Sequence, residues 1–254
     1  MSATTSAAPP EPKTSRAERL AIQQRLGGIA PPLFTAVFAL LMGGVVIAAT
    51  GRNPIQAFKG IAEGAGLTWF FHLPWNTSTD SLVTYNLTQT LLQTSSLVLA
   101  GLAVAFAFRC GLFNIGAQGQ YMMGLIVANW VGISLVGTSS LLHILIAIGA
   151  ATLAGAVWAG IAGLLKATVG AHEVISTIML NWVAYWFGSY VFGQGGPLQN
   201  PATPTNPVSA DVAPSARLPV FWGDPILQGL HIGVFVALAA LVVYWIILKR
   251  TTLG

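Results

Sequence analysis

The chain has 254 residues, of which 54% are hydrophobic and only 7% charged. A soluble domain carries about 25% charged residues, so this composition excludes a water-exposed globule and defines an integral membrane protein. The net charge of +4 does not signal nucleic acid, because the basic residues stand singly at the ends of apolar runs, where membrane topology accounts for them.

Residues 1–28 are rich in Ala, Pro, Ser and Thr and carry Lys13, Arg16, Arg19 and Arg25. They read as a disordered cytoplasmic tail with a short helical end. The apolar run that follows exceeds a signal peptide's core of about 7–15 residues. A transmembrane helix needs about 20 apolar residues, rising roughly 1.5 Å each, to cross about 30 Å of hydrocarbon. Six segments qualify: 29–50, 84–108, 117–136, 141–165, 174–193 and 230–248. None contains Asp, Glu, Lys or Arg. The expected fold class is an all-α polytopic bundle of about six transmembrane helices, occupying residues 29–254.

Two longer connections separate the spans, near 51–83 and 194–229. In the first, Asn53 can cap a helix and Pro54 suits its first turn. Phe58, Ile61 and Ala62 then share a face, which predicts a short helix on the membrane surface. The second is a long proline-rich loop. Trp69, Trp75 and Trp222 flank spans, as interfacial anchors do. With the N-terminus inside, the inner side holds Lys13, Arg16, Arg19, Arg25, Arg109, Lys166, Lys249 and Arg250. The outer side holds Arg52, Lys59 and Arg217. This excess of inner positive charge predicts an N-in, C-in topology with both long connections external. There is no strong internal repeat. Cys110 is the only cysteine, which excludes a disulfide framework and a thiolate metal site. No His/Asp/Glu cluster has metal-ligand or hydrolytic spacing, so no metal or catalytic residue is expected.

Polar residues inside the spans mark the candidate solute path. Asn86, Gln89, Gln93 and Ser96 step by three or four along one face of the second span. Such a face lines a watery path or joins helices. Interhelical hydrogen bonds are worth about 0.6 kcal/mol on average, a weak reason by itself for two glutamines. Thr177, Asn181, Tyr185 and Ser189 follow one side of the fifth span, with Trp182 and Trp186 beside them. They form a second pore wall with aromatic surface for a flat solute, or else Asn181 bonds a neighbouring helix while the tryptophans face lipid. Ala151, Gly155, Ala159 and Gly163 make a small-residue stripe suited to close helix packing. His143 and His231 are expected at the outer interface. Glu173 opens the fifth span near Lys166, where the helix dipole favours an acid; a gating or partner contact is the other reading.

The stretch FRCGLFNIGAQGQYMMG, from Phe108, interrupts two apolar runs with polar residues and glycines. Gly111 and Gly116 permit a sharp turn. Asn114 can cap the third span, and Gln118 and Gln120 fall near its first turn. Irregular polar backbone at membrane depth is tolerated only inside protein or beside a water-filled cavity. The segment is therefore expected to shape the start of the third span beside a transport path.

GLAVAFAFRCGLFNIGAQGQ and HEVISTIMLNWVA resemble the ABC-transporter permeases of the branched-chain amino acid, ribose and nucleoside uptake superfamily, most closely its nucleoside and simple-sugar branch. The resemblance is most specific over 101–124 and 173–184, and the layout of spans extends it from residue 29 onward. It implies a permease subunit of an ATP-driven importer in the cytoplasmic membrane. The implied partners are a cytoplasmic ABC ATPase, a second permease subunit and an external solute-binding protein. ATP and Mg2+ would sit on the ATPase, and this chain would bind no cofactor. It has no phosphate-cradling GxxxxGK[ST] loop, so it is not expected to be an enzyme.

The sequence departs from the family pattern at Gln118, where glutamate is usual, at His172, where asparagine is common, and at Ser96, where proline is common. The last change predicts a straighter second span. Family members also continue beyond the equivalent of Gly254, so the chain is expected either to be a truncated chain or fragment or to need a second polypeptide; if the further loop carries the ATPase-docking helix, this chain is expected not to couple to an ATPase alone. An ion-coupled secondary transporter is the alternative, weakened by the lack of a charged residue within any span. A membrane enzyme would need a paired nucleophile and base that the spans do not offer.

Overall fold

The computed structural model describes residues 16–71, 82–223 and 229–251. Lys13, Trp75 and most of the N-terminal tail lie outside the described residues. Seven α-helices account for most of the described chain, as an all-α membrane protein requires. The chain divides between Glu63 and Gly64 into two compact units.

In the first unit, helix α1 (Arg16–Ala49) contains an apolar part, Pro31–Ala49, long enough to cross a membrane. The tail's predicted helical end is thus the start of the same helix. Helix α2 (Pro54–Gly64) begins where expected: the Asn53 side-chain oxygen accepts from Ile55 N–H at 2.9 Å. Phe58 lies against Gly44 of α1. Ile55 and Ile61 remain exposed, the apolar surface expected of a helix lying at an interface.

The second unit holds α3 (Leu82–Arg109), α4 (Ala117–Ser134), α5 (Ser140–Val169), α6 (Glu173–Phe192) and α7 (Gly233–Arg250). Helices α3, α5 and α7, with α1, are long and apolar enough to span a membrane. The other two predicted spans, α4 and α6, are also helical, with 18 and 20 residues. Their amides and aromatic side chains make them less apolar. Helix α3 runs unbroken through Ser96. The sixth span starts later than predicted. Leu230 and His231 form a short strand, β2 (Leu230–His231), paired antiparallel with β1 (Val220–Trp222). This ladder takes up backbone groups that the apolar run alone would assign to a helix.

The helices pack as two groups. Helix α4 packs most extensively on α5 and then on α6, whereas α3 packs on α7 and meets α4 only lightly. Half of the small-residue stripe explains the first group: a Cβ at Gly155 would sit 3.3 Å from the Gln120 carbonyl oxygen, and one at Gly124 would sit 3.2 Å from that of Ala151. The other half, Ala159 and Gly163, lines a cavity instead.

The proline-rich loop is ordered over its described residues. The Gln199 side chain accepts from Gly195 N–H at 2.6 Å and donates to the Pro204 and Asn206 carbonyls. Asn129 of α4 donates to Ser209 at 3.1 Å, and Ala213 N–H donates to the Gly132 carbonyl at 2.9 Å. His143 is not an interfacial surface residue, as its position suggested; it is fully buried. Its Nε2 lies 3.0 Å from the Val131 carbonyl and its Nδ1 lies 2.8 Å from the Ser215 hydroxyl. A carbonyl only accepts, so Nε2 carries the proton, and in the neutral ring Nδ1 accepts from Ser215. His143 thereby pins the loop to α4 and α5. Trp222 stacks edge-on with Trp69 at 5.6 Å, so both are packed against each other as well as near span ends.

His143→Ala should strip partners from Val131 and Ser215 and cost about 1–3 kcal/mol. The loop should then be cut faster in limited proteolysis, and Ser215→Ala should have a smaller effect. Equal cleavage rates in all three proteins would contradict the pinning role.

Candidate functional site

The FRCGLFNIGAQGQ segment is the connection from α3 to α4. Gly111 adopts φ 72°, a left-handed conformation that turns the chain after Arg109. Asn114 does not cap α4 as expected. Its side-chain oxygen accepts from Gly116 N–H at 2.8 Å and from the Gln120 amide at 3.2 Å, closing the turn on itself. The cap comes from α6. Asn181 accepts from Gly119 N–H at 2.8 Å and donates to the Ile115 carbonyl at 3.0 Å. One amide thus satisfies a donor in the first turn of α4 and an acceptor just before it. Gly116 and Gly119 are glycines for room: a Cβ at Gly116 would meet Thr177 at 3.1 Å, and one at Gly119 would meet Asn181 Oδ1 at 2.9 Å.

The predicted path residues fall into two sets. Asn181 is committed to the backbone and positions α4. Asn86 and Gln89 are half-buried and engaged by neighbouring groups. Gln93 and Gln118 are exposed and make no side-chain hydrogen bond among the described residues. They meet at the seam between the two helix groups. A groove of about 310 Å3 there is lined by Gln93, Ser96, Gln118 and Tyr121. A second, of about 620 Å3, is lined by Gln118, Asn181, Trp182, Tyr185 and Trp186. Gln118 lines both. Tyr121 belongs to this surface although the sequence reading passed over it; its only signal was its position one turn after Gln118. An exposed amide without a partner is costly in hydrocarbon.

A separate cavity of about 210 Å3 is lined by Asn114, Phe106, Cys110, Gln120, Lys166, Glu173 and neighbouring apolar residues. Lys166 and Glu173 pair at 2.8 Å across the α5–α6 turn. Glu173 lies at the helix end, outside the predicted span. The Lys166 hydrogen bond, with backbone N–H bonding at the helix start, holds its carboxyl down to about 2. Among the described residues no group of three or more His, Cys, Asp or Glu side chains could hold a metal ion.

Four helices long and apolar enough to cross a membrane define a multi-pass membrane protein. The chain belongs to the family described as branched-chain amino acid transport system, permease component, whose profile matches residues 86–254. It is 32% identical over 91% of its length to a guanosine ABC transporter permease protein of Bacillus subtilis, covering 61% of that protein. It is 34% identical over 88% of its length to a glucose ABC transporter permease protein of Haloferax volcanii, covering 56% of it. It is 31% identical over 88% of its length to a nucleoside ABC transporter permease protein of Lactococcus lactis, covering 58% of it. The chain therefore spans about three fifths of the length of these curated relatives. No solved structure matches it.

Asn181→Leu should lower stability by about 1–3 kcal/mol, because it orphans Gly119 N–H and the Ile115 carbonyl together. Gly119→Ala should act through the same contact, so the double variant should lose less than the sum of the two in thermal melts in detergent. Strict additivity would show that the two do not share a contact. For Glu173 the folded carboxyl is depressed from 4.5 to about 2. Its stabilising contribution is therefore fully present above 4.5 and lost as pH falls through about 2. The difference in melting temperature between wild type and Glu173→Gln should narrow over that window, and a constant difference would count against the pairing.

Proposed function

We propose that the chain forms the membrane-spanning permease subunit of an ATP-driven ABC importer that moves nucleosides or related simple sugars across the cytoplasmic membrane. The observation that carries this reading is the similarity, along about nine tenths of the chain, to permeases named for guanosine, glucose and nucleosides. The seam supplies a surface for the solute. Gln93, Gln118 and Tyr185 would touch it, Asn86 and Gln89 would extend the path along α3, and Asn181 would hold the α3–α4 turn in register.

In this reading an external solute-binding protein delivers the solute at the side of the proline-rich loop, and the N-terminus and the Lys166–Glu173 end face the cytoplasm. A second permease subunit would cover seam surface that lipid cannot satisfy. A cytoplasmic ABC ATPase would hold ATP and Mg2+, and this chain would bind no cofactor and catalyse no reaction. The names of the relatives favour ATP drive over ion coupling, in keeping with spans free of Asp, Glu, Lys and Arg.

Uptake of a radiolabelled nucleoside by cells expressing the chain with its partner subunits should stop on ATP depletion and survive collapse of the proton and sodium gradients. Loss on gradient collapse, with ATP still present, would replace the importer by an ion-coupled transporter.

A further inference from the structure

We propose that a groove between α4, α5 and the proline-rich loop binds one phosphatidylethanolamine molecule from the leaflet on the loop side, with an acyl chain in the groove and the headgroup at Arg217 and Asp211. The groove has a volume of about 440 Å3 and shares no lining residue with the grooves of the seam or with the Lys166–Glu173 cavity. Its α5 wall is Ile144, Ile148 and Thr152, at four-residue steps on one face. They lie about 6, 12 and 18 Å along the helix from its start at Ser140. Trp130 is 55% exposed and stands four residues before the end of α4 on the same side, where anchoring tryptophans gather. One leaflet of a hydrocarbon core of about 30 Å is about 15 Å deep, so the groove runs from the loop-side rim to the bilayer centre. There the helices close on each other: a Cβ at Gly124 would lie 3.2 Å from the Ala151 carbonyl oxygen. A spanning helix needs a contact surface through both leaflets, whereas a lipid tail needs one.

The two polar side chains in the wall are already committed. Thr152 donates to the Ile148 carbonyl at 2.8 Å, and Asn129 donates to Ser209 at 3.1 Å while its own oxygen is buried. The rest of the lining is aliphatic or glycine, so its side chains offer an occupant dispersion contacts and no free hydrogen-bonding group. The rim differs. Val212, Ala216 and Leu218 of the loop line it, and directly beside them in the chain stand Asp211 and Arg217. Both are exposed, and neither forms an ion pair among the described residues. A cation and an anion at one rim complement a zwitterion. The guanidinium suits a phosphate, which it can hold with two parallel hydrogen bonds. The carboxylate suits a primary ammonium, whose N–H groups it can accept. A choline headgroup carries no N–H for Asp211, and a glycerol headgroup leaves Asp211 beside a net negative charge.

The site needs only the membrane placement of these helices, so its test is independent of the solute and of the energy source. The assembled protein is reconstituted in phosphatidylcholine vesicles with a trace of phosphatidylethanolamine carrying a diazirine on its acyl chain. Illumination should label the peptide spanning Ile144–Thr152 severalfold more than the exposed apolar residues of α7. Phosphatidylglycerol and phosphatidylcholine with the same tail should label it no more than α7. Arg217→Ala should lower the labelling about threefold, as the loss of one exposed charge contact does. Ala147→Phe, which fills the groove, should bring it down to the α7 level. Labelling of α7 should stay constant in both variants, which separates loss of the site from loss of the fold. Equal labelling of the groove by all three lipids would overturn the headgroup assignment, and labelling no stronger than that of α7 would overturn the site itself. A crosslink to another polypeptide from a photoreactive amino acid in place of Ile148 would put protein in the groove and overturn the proposal as well.

Discussion

Everything on the seam depends on how the start of α4 meets its need for hydrogen bonds. A helix that begins at membrane depth exposes N–H groups that water cannot reach. Here the partner is borrowed from another helix: Asn181 takes the Gly119 N–H and gives its own amide hydrogen to the Ile115 carbonyl. That arrangement fixes the depth of α6 against α4. It also requires glycine at 119, since a Cβ would collide with the capping amide. With α4 so placed, Gln118, next to Gly119, lines both grooves, one of them together with Asn181. The position of the candidate solute surface is therefore a consequence of a backbone requirement.

The amides of this chain divide by what they touch. Asn114, Gln120 and Asn181 close the α3–α4 connection with short polar contacts. Gln93 and Gln118 are left open. In water that distinction would carry little weight, because solvent satisfies an exposed amide. In a bilayer it separates the residues that build the turn from the residues that need a wet or protein-covered neighbour.

Much of this was legible in the sequence, and the reasons differ from one feature to the next. Helix positions followed from apolar length, because hydrocarbon thickness sets a strict ruler. The α3–α4 turn was legible from Gly111 and the polar run after it. The start of α7 was not, because Leu230 and His231 stand at the edge of the apolar run while β1, about ten residues earlier, takes them up as a strand. Asn181 reads from the sequence as either a pore residue or a helix tie, and it is the fold that shows its amide bonded to Gly119 and Ile115. The partner of His143 is Ser215, seventy-two residues away, and no local spacing announces a contact at that range. Asn114 was expected to cap α4 because it stands at the right offset, yet its oxygen is taken by Gly116 and Gln120.

The ordered loop after α6 has a mechanical consequence. At one place it is stapled to α4 and α5 through Ala213 and Ser215. A few residues later it enters the β1–β2 ladder, which sits against α3 and leads directly into α7. The loop is thus a strap bridging the two helix groups that the seam separates. At the opposite end the groups are joined by the seven residues between α3 and α4. A bundle strapped at one rim resists relative displacement of its two groups there, so any shift of one group against the other would be largest at the far, Lys166–Glu173 end.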